Sequence, residues 1–249
     1  MWHVADMVEG RRPTGRPTVG GFPVPNGSLY LAASLYLLSY DPETGRPTGA
    51  HTALLVRAAA LTELVQRGTL TDTDGSPCPV ADALTGDQAL DGLLELIGES
   101  RPRSWQIWVG HQPRLTEQAV RDQMVAAGYV RAKGRRVLGL FPAKEYTLER
   151  PEPVAAMREA AVRALHGGQP VAEVSERDAA LVSLAAAGEL RTVVTATDAK
   201  VRKDRILELG ARCGGMGPVL EKVIAQVRTA LAAAVVTTML ATTTAATTT

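Results

Sequence analysis

Two Phe, five Tyr and three Trp in 249 residues leave this chain little aromatic bulk from which to build an interior. Leu, Val and Ala must fill it instead, and Leu and Ala are among the best helix formers. The expected fold class is therefore mainly α: a single globular helical domain with a short apolar β-hairpin. Apolar residues make up 45% of the chain, enough for a substantial core. Twenty-seven Lys and Arg against 26 Asp and Glu give a net charge of +1, which argues against a dedicated nucleic-acid coat protein and leaves local patches open. The preference for Arg over Lys and the abundance of Ala point to a GC-rich bacterial genome.

Local signals divide the chain into three parts. Residues 1–28 are rich in Gly, Pro and Arg without periodicity and read as a disordered start. Residues 29–236 carry helical patterning, and 237–249 form a Thr/Ala low-complexity tail. Ser28 is placed to cap a first helix over Leu29–Ser39, stopped by the turn Asp41-Pro-Glu-Thr-Gly45. A second helix spans about Thr52–Arg67 and ends at Gly68. A short strand, Thr69–Thr73, runs into the tight turn Asp74-Gly75. Thr85 caps a third helix with Asp87 in its first turn, Trp105–Val109 starts a fourth, and Thr116–Ala127 is a fifth. Further helices open at Pro153 and after Ser175, then span Val201–Leu209 and Val219–Val236.

After the fifth helix, Gly128–Leu148 reads as a β-hairpin with an unusual composition. Arg131, Lys133, Arg135 and Arg136 form a basic collar beside an apolar tip of Val137, Leu138, Leu140 and Phe141. A cationic collar next to an apolar tip suits docking on an anionic membrane surface without crossing it. The same tip could instead pack against a second copy of the chain in a homo-oligomer. A winged-helix DNA-binding transcription regulator is the alternative: Thr116–Ala127 would be its recognition helix, with Arg114, Gln118, Arg121 and Gln123 reaching the nucleic acid and the hairpin as wing. Glu117, Asp122 and the apolar tip argue against nucleic acid as a partner.

No catalytic constellation emerges. The four His lack metal-ligand spacing, and no nucleophile elbow, P-loop or dinucleotide fingerprint is present, so no catalytic residue, metal or cofactor is expected. Cys78 and Cys213 read as reduced thiols. Trp105 and Trp108 read as core residues. No secretory leader pattern stands at the N-terminus, and the run from Ala230 to Leu240 is too short and Thr-rich to span a bilayer. The expected location is cytoplasmic, peripherally membrane-associated.

The order of several short motifs resembles the Golgi phosphoprotein 3 family of phosphoinositide-binding Golgi adaptors. These are Asp41-Pro-Glu-Thr-Gly45, Arg57 through the Glu63-Leu-Val-Gln-Arg-Gly68 helix end, and Thr85-Gly-Asp-Gln-Ala-Leu-Asp91. The Gly-terminated helix leading into the apolar hairpin and the helix around Arg177–Leu184 complete the set. The resemblance implies a helical fold, a lipid head-group pocket of arginines plus an aromatic, and a hairpin that inserts into the bilayer. Carried onto this chain, it puts head-group binding on Arg57 and Arg114. A third pocket arginine is replaced by Glu117, and the pocket tryptophan falls at Thr48 or Gly49, with His51 the nearest ring. Arg121, one turn beyond Glu117, is placed to restore charge. The function so implied is a non-catalytic peripheral membrane adaptor for phosphatidylinositol 4-phosphate-like or other acidic lipids, its client proteins unnamed.

Overall fold

Every residue of the first helix, α1 (Leu31–Leu38), is buried, which is what a helix apolar on all sides requires. It forms the centre of the fold. Against it pack α2 (Thr52–Gln66), α5 (Pro113–Ala126), α6 (Pro151–His166) and α7 (Glu176–Ala187). Ala58, Ala59 and Ala60 on α2 are fully buried, their small side chains permitting close helix approach. The remaining helices are α3 (Gln88–Glu99), α4 (Trp105–Gly110), α8 (Ala196–Val201), α9 (Lys203–Arg212) and α10 (225–237). The computed structural model describes residues 29–49, 51–137, 141–212 and 225–237, with the backbone alone at 135–137 and 141–142. Among the described residues the fold is mostly helical, with two two-stranded antiparallel sheets and one core.

Both hairpins follow the sequence signals. Strands β1 (Leu70–Thr73) and β2 (Ser76–Pro79) meet at Asp74 (φ 51°) and Gly75 (φ 80°), the positive pair that a two-residue type I′ turn needs. Asp72 then accepts the Trp105 indole N–H at 2.6 Å, tying this hairpin to α4. Gly128 (φ 73°) ends α5 and turns the chain into β3 (Val130–Val137), which pairs with β4 (Phe141–Leu148) from Val130↔Leu148 out to Val137↔Phe141.

Several helix starts differ from the sequence expectation. Asp87, expected within the first turn of α3, is its cap: one carboxylate oxygen accepts the Ala89 and Leu90 N–H groups, each at 3.0 Å. Thr85, expected as the cap, instead donates to Asp91 at 2.6 Å, because Gly86 (φ 75°) turns the backbone between them. Helix α5 begins three residues early at Pro113, whose fixed φ suits a first helical position, and α6 begins at Pro151 for the same reason. The helix expected over Val201–Leu209 is two, broken at Arg202. A capping box between Thr195 and Asp198 starts the first of them. Ser175 does cap α7, whereas Ser28 lies outside the described residues.

Candidate functional site

The D-P-E-T-G turn positions one wall of a cavity. One Asp41 carboxylate oxygen accepts the Glu43 and Thr44 N–H groups at 3.0 and 2.7 Å and the Thr44 hydroxyl at 3.0 Å. These bonds hold Asp41 below the usual carboxylate range, the Thr44 N–H contributing most. Gly45 takes a left-handed φ of 62°, and Tyr40 and Pro47 close the loop with a β-bridge. The chain then delivers Thr48 and Gly49 to the cavity opposite α5.

That cavity, about 480 Å³, lies between α1, the loop, α2, α5 and β4. Tyr36 and Tyr40 stand on one side, their hydroxyls 2.8 Å apart and their rings edge-to-face. Burial pushes both phenols above their usual range, so both stay neutral. One O–H donates to the other, which leaves one hydroxyl proton without an acceptor among the described residues. On the other side, Glu117 and Arg121 project from α5, and the Arg121 guanidinium lies 4.7 Å from the ring centre of Tyr146 on β4. A cation over a tyrosine face contributes about 0.5–2 kcal/mol. Arg121 Nε is buried with no hydrogen-bond partner among the described residues.

The sequence-derived site residues divide. Glu117, Arg121, Thr48 and Gly49 meet in this cavity. Any side chain at Gly49 would require Thr52 to move, since a Cβ there would lie 2.2 Å from the Thr52 hydroxyl. Arg114 is exposed on α5, one turn before Glu117. Arg57 is fully buried and does not line the cavity: its Nη2 donates to the Gln112 carbonyl at 2.9 Å, at the left-handed residue preceding α5. Burial lowers its pKa to about 10. Arg57 has no ion pair among the described residues, and Glu63 on the same helix instead holds Arg67 and the Leu31 N–H. His51 is half-buried at the start of α2 and does not line the cavity. Tyr36, Tyr40 and Tyr146 were not anticipated. Tyr36 and Tyr40 sit four apart where α1 ends, a visible signal, but Tyr146 joins them only through tertiary pairing.

The hairpin is rooted in the core at its base. Val130 is buried at its base, while Arg131, Ala132, Lys133 and Gly134 are exposed on both faces of β3. Seven steps from Val130 to Val137 span about 24 Å. Arg131 is engaged by Glu149, and Lys133 faces Glu145, which pairs with Arg46 at 3.2 Å. The collar's described members are thus partly neutralised. Side chains of Arg135, Arg136, Val137 and Phe141, and all of Leu138 and Leu140, lie outside the described residues. Trp105 and Trp108 are core residues, each 1% exposed. Among the described residues no group of three His, Cys, Asp or Glu could hold a metal, and no helix is long and apolar enough to cross a membrane.

The family model for Golgi phosphoprotein 3 (GPP34) matches residues 31–241. The chain belongs to the Golgi phosphoprotein 3 family. A search of curated proteins found no match. Within this GPP34 chain, the short motifs act as fasteners. The T-G-D segment caps α3, the D-P-E-T-G turn shapes the cavity loop, and Arg177 ties α7 to α1 through the Ser34 hydroxyl at 2.7 Å. For the winged-helix alternative the geometry offers little. Gln123 accepts the Tyr30 hydroxyl and Arg121 is stacked on Tyr146, so two of the four side chains it needs are engaged within the fold.

Proposed function

We propose that this protein is a peripheral membrane adaptor, not a catalyst. It binds acidic phospholipid surfaces with a head group in the α1–α5–β4 cavity and the β3–β4 tip in the bilayer. The observation that carries this reading is Tyr146. It lies on the same hairpin as the apolar tip and forms a wall of the cavity with Arg121. Five strand steps, about 17 Å, separate Tyr146 from Phe141. One element therefore links a bilayer-seeking tip to a head-group-sized space.

The magnitudes support reversible attachment. Leu138, Leu140 and Phe141 are each worth about 1.5–3 kcal/mol when fully removed from water, and about half that when partly inserted. Lys133, Arg135 and Arg136 add about 1 kcal/mol each near an anionic surface, with Arg131 already engaged by Glu149. The total, about 5–7 kcal/mol before orientation costs, corresponds to weak, reversible binding. A partly apolar attachment should persist in part at high salt, whereas nucleic-acid binding would collapse.

Flotation with neutral and phosphatidylserine-containing vesicles at low and high salt tests this reading. The wild type should float with acidic vesicles, and Leu138→Asp/Phe141→Asp should lose about tenfold in affinity at unchanged melting temperature. No flotation under any condition would sink the membrane reading. Concentration-dependent self-association abolished by the same variant would assign the tip to an oligomer interface instead.

A further inference from the structure

The stretch from Ser100 to Thr116 contains three Arg and one His and no Asp or Glu. It forms the corner at which α4 gives way to α5, with the left-handed Gln112 between the two helices. Ile107 on α4 and Leu115 in the first turn of α5 are each 51% exposed there. Single exposed apolar residues are ordinary on any protein surface. What sets this pair apart is its surroundings. Arg101 and Arg114 are exposed and Arg103 is half-buried, and none of the three has an ion pair among the described residues. Arg103 is held at the corner, its Nη1 donating to His111 Nδ1 at 3.2 Å. Burial, then Arg103 and Arg57, hold His111 below the usual imidazole range, so the ring stays neutral at pH 7 and can accept.

The corner stands at the same end of the molecule as the hairpin tip. At its base the hairpin leaves the C-terminal end of α5, where the Tyr129 N–H donates to the Met124 carbonyl at 2.9 Å. Further out, Ala132 pairs with Tyr146, whose ring lies against Arg121. Moving outward along β3 is therefore moving back along α5 toward its first turn. Arg121 to Pro113 is about 12 Å of helix, and Ala132 to Val137 is about 17 Å of strand. On parallel axes the two ends fall within about 5 Å of one level. A partner that reaches both must be broad, anionic at its surface and apolar just beneath. We infer that the α4–α5 corner is a second bilayer contact: Ile107 and Leu115 enter the interface while Arg101, Arg103 and Arg114 face anionic lipid head groups. This rests on the membrane reading above. A tip alone is a pivot, whereas a second contact fixes the tilt of the protein on the membrane and with it the direction in which the cavity faces.

The test uses the full chain with Cys78→Ser and Cys213→Ser and one added cysteine, Ile107→Cys, Leu115→Cys or Ala126→Cys, carrying an environment-sensitive fluorophore. Ala126 is exposed on the last turn of α5, about 17 Å of helix from Leu115. With phosphatidylserine vesicles the Ile107→Cys and Leu115→Cys labels should shift to the blue and be quenched by brominated acyl chains, and the Ala126→Cys label should do neither. In flotation, Ile107→Ser/Leu115→Ser should bind those vesicles about fivefold more weakly at unchanged melting temperature, since two half-exposed side chains offer about the apolar area of one. Labels at the corner that stay in water while the wild type floats overturn the inference and spare the membrane reading. An equal shift of the Ala126→Cys label does the same, because the protein would then have no preferred tilt. A blue shift without lipid, on raising the protein concentration or adding a short DNA duplex, would assign the corner to a second copy or to nucleic acid and overturn it. Absence of flotation on every vesicle sinks the inference together with the membrane reading.

Discussion

Arg57→Met should leave this protein as stable as the wild type or up to about 1 kcal/mol more stable. The guanidinium is fully buried, makes one hydrogen bond, and leaves Nε and Nη1 without partners among the described residues. Burial lowers its pKa from the ordinary guanidinium range to about 10, which at about 1.4 kcal/mol per unit is a penalty of about 3 kcal/mol on the charged form. Against it stands one charge-assisted bond to the Gln112 carbonyl, worth about 1.5–3 kcal/mol. Gln112 would not be orphaned, because its carbonyl also accepts the Leu115 N–H at 3.1 Å. Methionine retains the apolar stem and most of the volume, so little cavity opens. Arg57→Ala, which opens one, should cost about 2–4 kcal/mol.

Urea denaturation of the three proteins at neutral pH measures this. For a base whose folded pKa is depressed, the penalty is fully present below about pH 10 and fades as pH climbs from there toward the ordinary guanidinium value. The comparison at neutral pH therefore captures all of it. A loss of more than about 2 kcal/mol in Arg57→Met would refute the reasoning, since the charge would then have compensation beyond one carbonyl. The same variant separates stability from binding. With Arg57 internal, acidic-vesicle flotation should survive the change, and its loss in a stably folded Arg57→Met would return Arg57 to the head-group ligands.

Two smaller perturbations test how the helices are started. Asp87→Ala removes the acceptor of two N–H groups at the head of α3 and should cost about 1 kcal/mol by chemical denaturation. Asp198 is held below the usual carboxylate range, chiefly by the Thr195 hydroxyl and further by the Thr195 N–H and His166. Its contribution is present above the ordinary carboxylate pKa of about 4 and is lost as pH falls through its lowered value. The melting temperatures of wild type and Asp198→Asn should accordingly differ at neutral pH and converge in strong acid.

What the sequence determined by itself was local. A scarcity of aromatics with abundant Leu and Ala dictates helices; α1, α2 and α7 stand where their periodicity puts them, and α3 and α5 do so apart from their first residues. Asp74-Gly75 and Gly128 demand positive φ, and both hairpins follow. Each of these depends on neighbours within a few residues. Errors arose where two local devices competed, as at Thr85 and Asp87, where Gly86 reverses the backbone and exchanges their roles. Tertiary structure decided the site. Arg57 finds its acceptor 55 residues away, and the cavity gathers Tyr36, Thr48, Glu117, Arg121 and Tyr146 from separate elements. No periodicity marks such a meeting, because side chains distant in sequence become neighbours only when helices pack and a strand is laid beside them. The same packing turned Arg57 inward, since its position on α2 faces the core where its residue type alone would favour solvent.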